Sequence, residues 1–124
     1  MTGGWMCCGC SHSKDNLLLL GSTESDDFPI HLDSNLQVNW AGGYDIVMTK
    51  FNPSGTQMMG GTYLGGRFND GFQTNNAALR SNLLFNYADN YRGDITTDEN
   101  GNVYIATCTQ TDIINGINGY QSKN

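Results

Sequence analysis

At 124 residues the chain has room for one domain at most. Its net charge of −6, from 12 acidic and 6 basic residues with no Lys/Arg cluster, argues against nucleic acid or an anionic lipid surface as partner. Leu17–Leu20 is the longest aliphatic run, far short of the ~20 residues of a membrane-spanning helix, and Met1–Cys10 has neither the basic start nor the apolar stretch of a signal peptide.

In chain order, residues 1–15 read as an unstructured or mis-started N-terminus and 16–124 as a repeat region. The apolar residues 17–23 predict a strand. Residues 26–43 predict a long loop, broken by Pro29 and closed by Gly42-Gly43. Residues 44–51 and 56–64 predict a hairpin turning on Asn52-Pro53-Ser54-Gly55, where Pro53 presets φ and Gly55 supplies a positive one. Residues 65–90 are irregular, with a short helix expected at 75–84. A second hairpin, 94–98 and 103–109, turns on Asn100-Gly101.

The segment LLLLGSTESD, beginning at Leu17, lies over VYIATCTQTD, beginning at Val103. The offset of 86 takes Thr23 to Thr109, Ser25 to Thr111, Asp26 to Asp112 and Ser22 to Cys108. Farther on, Leu36-Gln37 meets Tyr120-Gln121 at an offset of 84, so the chain holds about one full repeat and an overlap. Thr23 and Thr109 suit strand ends, where a hydroxyl satisfies stray backbone groups. Four strands fall between equivalent points, the content of one propeller blade. The period is nearly twice the ~40–50 residues of common propeller repeats, and the two long loops take up the excess. The runs Tyr44-Asp45-Ile46-Val47-Met48 and Val103-Tyr104-Ile105-Ala106 are close to continuously apolar, as expected of strands covered on both faces. The expected covering is a neighbouring blade of a longer chain, without which a single blade is marginal.

Several separated motifs resemble one family. Asp27-Phe28-Pro29, Gly42-Gly43-Tyr44-Asp45, Lys50-Phe51-Asn52-Pro53-Ser54-Gly55, Thr62-Tyr63-Leu64-Gly65-Gly66 and Asp98-Glu99-Asn100-Gly101-Asn102-Val103-Tyr104 follow the order of the bacterial SBBP-type β-propeller repeat. Its hallmark reads roughly DFP…GGxDafvaKlnpsG…TYLGG…DssGNvY. The resemblance covers residues 17–121. The stretch from Asn86-Tyr87 to Tyr91-Arg92-Gly93-Asp94 is similar to the form found in large secreted Bacteroidetes proteins with gliding-motility-associated or type IX secretion C-terminal domains. In the second copy Ile113-Ile114-Asn115 stands where DFP is expected. The resemblance implies an all-β fold, roughly one four-stranded antiparallel blade plus overlap, a secreted or cell-surface location, and neighbouring blades, surface proteins or polysaccharide as partners.

Residues with chemistry give little sign of catalysis. Cys7, Cys8, Cys10 and His12 lie close together and could ligate a soft metal, but they have no matching second pair, so incidental thiols at a terminus explain them. Cys108 aligns with Ser22 and reads as a small strand residue. Asp98, Asn100 and Asn102 alternate oxygen ligands around a glycine like the opening of a calcium loop, yet no bidentate Glu follows, and an Asn-Gly hairpin accounts for them. Asp26-Asp27 would add ligands only in an assembled propeller. Arg92-Gly93-Asp94 opens a strand rather than a loop tip. Asp70, Asp89, Asp94, Asp98 and Glu99 read as solvated loop acids; no Ser-His-Asp, GxSxG or phosphate-loop pattern accompanies them. The aromatics Trp40, Tyr44, Tyr63 and Phe68 suit either core positions or a sugar-binding groove. The expected function is a non-enzymatic structural or interaction scaffold with no catalytic residue and no cofactor. A calcium- or carbohydrate-binding module, and a propeller-based hydrolase, are the alternatives.

Overall fold

Turn chemistry and cross-strand pairing set the architecture. A computed structural model describes residues 5–13 (backbone alone), 15–30, 39–71 and 93–111. Among them six strands form and no helix: β1 (Trp5–Ser13), β2 (Asn16–Thr23), β3 (Asp45–Phe51), β4 (Met58–Leu64), β5 (Gly93–Thr97) and β6 (Val103–Thr107). The described residues are all-β, as expected. β1 to β4 make one antiparallel sheet in sequential order, and β5 and β6 make a separate two-stranded sheet. No helix among the described residues is long and apolar enough to cross a membrane.

The two expected hairpins are present, and their glycines do what was expected of them. The Gly55 amide donates to the Asn52 carbonyl at 2.9 Å, with φ of 69° at Gly55. Asn52 also caps the turn from its side chain, Oδ1 accepting from the amides of Thr56 (2.9 Å) and Gln57 (3.1 Å). In the second hairpin Gly101 has φ of 84° and its amide donates to the Asp98 carbonyl at 3.1 Å. The helix expected at 75–84 lies outside the described residues.

The four-stranded sheet buries both faces, each by a different device. In the β2-β3-β4 register Leu20 faces Met48 and Ile46 faces Leu64, which places alternate residues on one side. That side carries Leu18, Leu20, Ile46 and Leu64, and Ile95 of β5 closes over it with Met48 and Ile105 at the margin. The opposite side carries Val47 and Tyr63, covered by Phe28 and Ile30 from the segment after β2.

Three expectations need correction. Residues 5–13, read as unstructured, form β1. The reason lies in β2, whose backbone groups along that edge require a ladder partner whatever the partner's composition. The four-stranded sheet accordingly starts one strand earlier than expected, and β5 pairs with β6 instead of completing it. Finally, β6 is not covered on both faces: Tyr104 is 54 % exposed and Val103 38 %, whereas Leu18, the counterpart of Tyr104 in β2, is buried and Leu17, the counterpart of Val103, is half-buried.

The β1-β2 and β5-β6 hairpins share a pairing register. Cys7 faces Gly21 in the first, and Gly93 faces Thr107 in the second, each residue 86 positions on from its counterpart. A bulge between Cys7 and Gly9 then shifts β1 by one, after which Cys10 facing Leu19 matches Ile95 facing Ile105. The turns compensate. Ser13 and Asn16 pair across two residues, while Asp98, whose amide reaches the Asn102 carbonyl at 3.1 Å, is separated from Asn102 by three. The bulge and the shorter turn hide this half of the repeat from a fixed-offset comparison.

Candidate functional site

The most unusual chemistry lies just beyond the strand ends, where two carboxylates are sealed inside the fold. Asp45 opens β3 facing Thr23, and Asp70, after β4, bridges to Thr109 beyond β6. Both aspartates are fully buried. Carboxylates survive such burial only when hydrogen bonds replace their water. Asp45 Oδ2 accepts from the Ala41 amide at 2.7 Å. Asp70 Oδ2 accepts from the Gly66 amide at 2.8 Å and the Thr111 hydroxyl at 2.9 Å, and Oδ1 accepts from the Thr109 hydroxyl. The Asp70 amide in turn donates to the Tyr44 carbonyl at 2.6 Å.

Gly65 is where the two acids converge. A Cβ at that position would sit 2.5 Å from Asp45 Oδ1 and 3.0 Å from Asp70 Oδ2. Its neighbour Gly66 leaves room for the Thr111 side chain in the same way. The expectation that Gly65-Gly66 lets chains pass closely is met, and the groups that pass are the carboxylates.

Around each acid the repeated Ser/Thr turn recurs. The Ser25 amide donates to Thr23 Oγ1 at 3.1 Å, and the Thr111 amide donates to Thr109 Oγ1 at 3.0 Å. The strand-end role expected for both threonines is therefore observed. The two copies differ in the next bond. Ser25 gives its hydroxyl to Asp27, whereas Thr111 gives its hydroxyl to Asp70. The Ser25 bond holds the Asp27 carboxyl below its ordinary range.

Tyr63 fastens the opposite face. Its hydroxyl donates to the Ser25 carbonyl and accepts from the Phe28 amide, both at 2.9 Å, while its ring meets Phe28 edge-on at 6.1 Å. Burial pushes the phenol above its ordinary value.

These groups hold chain segments together. Asp70 joins the entry to β3, the exit from β4 and the segment after β6, and its lone pairs are occupied by donors. Its reading as a solvated loop acid is corrected: it is 0 % exposed. A signal was present in sequence, since Asp45 follows Gly42-Gly43 and Asp70 precedes Gly71, and all three glycines adopt positive φ.

The remaining candidates are dispersed. Asp98 Oδ1 accepts from the amides of Asn100 and Asn102, both at 2.9 Å; Oδ2 accepts from Asn102 Nδ2 at 2.7 Å and from the Tyr104 hydroxyl at 3.1 Å. Asp98 and Asn102 thus bond to each other, and Asn100 enters through its backbone. The bond from the Asn102 side chain leads the causes that depress the Asp98 carboxyl, and the bond to Asp98 pushes Tyr104 up. No group of three or more His, Cys, Asp or Glu able to hold a metal occurs among the described residues. Asp94 is exposed and its carboxylate accepts from the Ile95 amide at 2.8 Å; Arg92 and Asp89 lie outside the described residues, as do the side chains of Cys7, Cys8, Cys10 and His12. Cys108 falls just past β6, half-buried, and its carbonyl accepts from the Gly71 amide at 2.8 Å. Of the four aromatics, Tyr63 is core, Tyr44 is half-buried, and Trp40 and Phe68 stand on the surface. Comparison of the chain with family models, with curated proteins and with solved structures finds no match.

Proposed function

We propose that the chain is a non-enzymatic structural and interaction scaffold: one four-stranded blade, β1 to β4, followed by the leading hairpin of the next, from a secreted or cell-surface propeller of the SBBP type. The observation that carries this reading is the relation between the two hairpins. They share register and an offset of 86 in their second strands, and the second packs on the first, Ile95 against the face of Leu18 and Leu20. Repeats that stack on their neighbours build continuous cores by this means. The buried aspartates fit the same reading, because Asp70 ties the end of one unit to the start of the next through Thr109 and Thr111. Catalysis has no place in it: the acids at the joints are sealed, and Asp98 is occupied by its own turn.

A tandem series tests the proposal. One period, residues 16–101, is joined head to tail in one, two, three and four copies. If each unit covers the next, the melting temperature rises with copy number, steeply at first, as nearest-neighbour interfaces are added. A melting temperature independent of copy number would mean a self-contained unit and would remove the scaffold reading.

A further inference from the structure

We infer that the chain associates head to tail with further copies of itself. The outer face of the β5-β6 hairpin of one molecule, with Tyr104 and Ala106, takes the Leu17, Leu19 and Phe51 side of the next. The inference rests on the scaffold reading for the correspondence of the two hairpins, and goes beyond it in naming a second molecule of this chain as the partner.

Strand alternation gives the β5-β6 hairpin one covered face and one open face. Ile95 pairs with Ile105, and both lie against the core of the four-stranded sheet. On the other side Asp94 pairs with Ala106 and Thr96 with Tyr104, and all four residues are exposed. The Tyr104 hydroxyl donates to Asp98 Oδ2 at 3.1 Å, so the ring is already held in place on that face and loses little freedom on binding. The offset of 86 carries Tyr104 back to Leu18 and Ala106 back to Leu20. In β2 those two leucines are buried, in one cluster with Ile95. The open face of the second hairpin thus corresponds to the face of the first that a neighbouring hairpin covers.

What covers the first hairpin identifies what fits the second. Val103 and Ile105 share the covering side of β5-β6 with Ile95, and the same offset carries them back to Leu17 and Leu19. Leu17 and Leu19 are half-buried, on the side of β2 opposite Leu18 and Leu20. Leu17 pairs with Phe51 of β3, which is half-buried too. A second copy, set on the first by the relation that sets β5-β6 on β1-β2, brings its Leu17 and Leu19 onto Tyr104 and Ala106. Burial of these partly exposed side chains drives the contact. Because two different patches meet, the contact is heterologous, and each molecule added leaves one further patch open. Asp94 and Thr96 make the head more polar than the Leu18-Leu20 face, so the association depends on concentration.

Sedimentation velocity of the full chain over a concentration series tests the inference. The average mass of wild type is expected to rise with concentration from monomer to dimer and longer species. Ala106→Arg blocks the head and Leu17→Asp charges the tail, and each variant alone is expected to stay monomeric. Mixed in equal amounts, the two are expected to form a heterodimer and nothing larger, since the pair has one intact head and one intact tail. Phe68→Ala, an exposed aromatic at the opposite end of the strands, is expected to associate as wild type does. Ala106→Arg keeps the test decisive if Leu17→Asp unfolds, because Ala106 is exposed and the change removes no core contact; thermal melts identify the folded variants. A wild type that is monomeric at every concentration, association unaltered in folded Ala106→Arg, or folded variants that form no heterodimer on mixing would each overturn the inference. A monomeric wild type beside a tandem series that still gains stability would overturn it while leaving the scaffold reading in place.

Discussion

Asp15 and Gly101 hold the same position in two copies of one hairpin, with φ of 66° and 84°. Each precedes an asparagine at the start of the second strand, Asn16 as the first residue of β2 and Asn102 as the residue just before β6. Glycine occupies this left-handed position without steric cost, and aspartate does not. Asp15→Gly is therefore expected to stabilise the chain by about 0.5–1 kcal/mol, and Gly101→Ala to destabilise it by about 1 kcal/mol. Urea unfolding midpoints check both. Equal and opposite shifts would support the equivalence of the two turns; a destabilised Asp15→Gly would show that its carboxylate holds the turn in some other way.

Gly65→Ala should be among the most damaging single-methyl changes available. The added carbon would meet Asp45 Oδ1 at 2.5 Å and Asp70 Oδ2 at 3.0 Å, and neither carboxylate can withdraw without surrendering buried hydrogen bonds. A loss of about 3 kcal/mol or more is expected, enough to unfold a marginal domain. Gly60→Ala is the matched control, since its nearest neighbour is Lys50 Cβ at 4.0 Å. It should shift the melting temperature little. Similar melting temperatures for the two variants would mean that the aspartates do not crowd Gly65.

The strands and turns were legible because their signals are local: short apolar runs, Asn-Gly, and Asn-Pro-Ser-Gly each act within a few residues. The repeat was legible only in β2 and β6, where the offset is constant. β1 escaped notice because its bulge and short turn cancel, and because a strand of Gly, Cys and Ser is formed by its neighbour's ladder rather than by its own propensity. Asp70 looked like a loop acid since burial depends on Thr109 and Thr111, about 40 residues away in sequence. The exposure of β6 was equally hidden: Val103-Tyr104-Ile105-Ala106 is as apolar as a covered strand, and what covers a strand is decided by other segments.

Tyr63→Phe isolates one hydroxyl. The ring remains against Phe28, but the Ser25 carbonyl and the Phe28 amide lose their shared partner in a buried site. A cost of about 1–3 kcal/mol is expected from these orphaned groups. The same hydroxyl sets an alkaline limit. Because burial raises the folded phenol above its ordinary value of 10.0, its contribution is complete below pH 10.0 and is lost as pH rises through the folded value. Wild type should lose stability in that window, and Tyr63→Phe should lose less. Parallel alkaline curves for the two proteins would assign the loss to other groups.

Asp98 sets the corresponding acid response of the second hairpin. Its carboxylate accepts four hydrogen bonds from the turn it begins and from Tyr104 of β6, and these hold it below the ordinary value of 3.8. A depressed carboxyl contributes its stabilisation above the unfolded value and gives it up as pH falls through the folded one. In an NMR titration the Asn100 and Asn102 amides should therefore shift together with the Asp98 carboxyl, at a midpoint below 3.8. In Asp98→Asn that acid transition should vanish from both amides. A midpoint at the ordinary value of 3.8 would show that the bonds do not favour the charged form. The same amides report on calcium. A cation would have to take oxygens already engaged by Asn102, Tyr104 and the backbone, so millimolar calcium is expected to leave these resonances and the melting temperature unmoved. Calcium-dependent displacement of the Asn100 and Asn102 amides, lost in Asp98→Asn, would instead establish that the turn exchanges its hydrogen bonds for a metal.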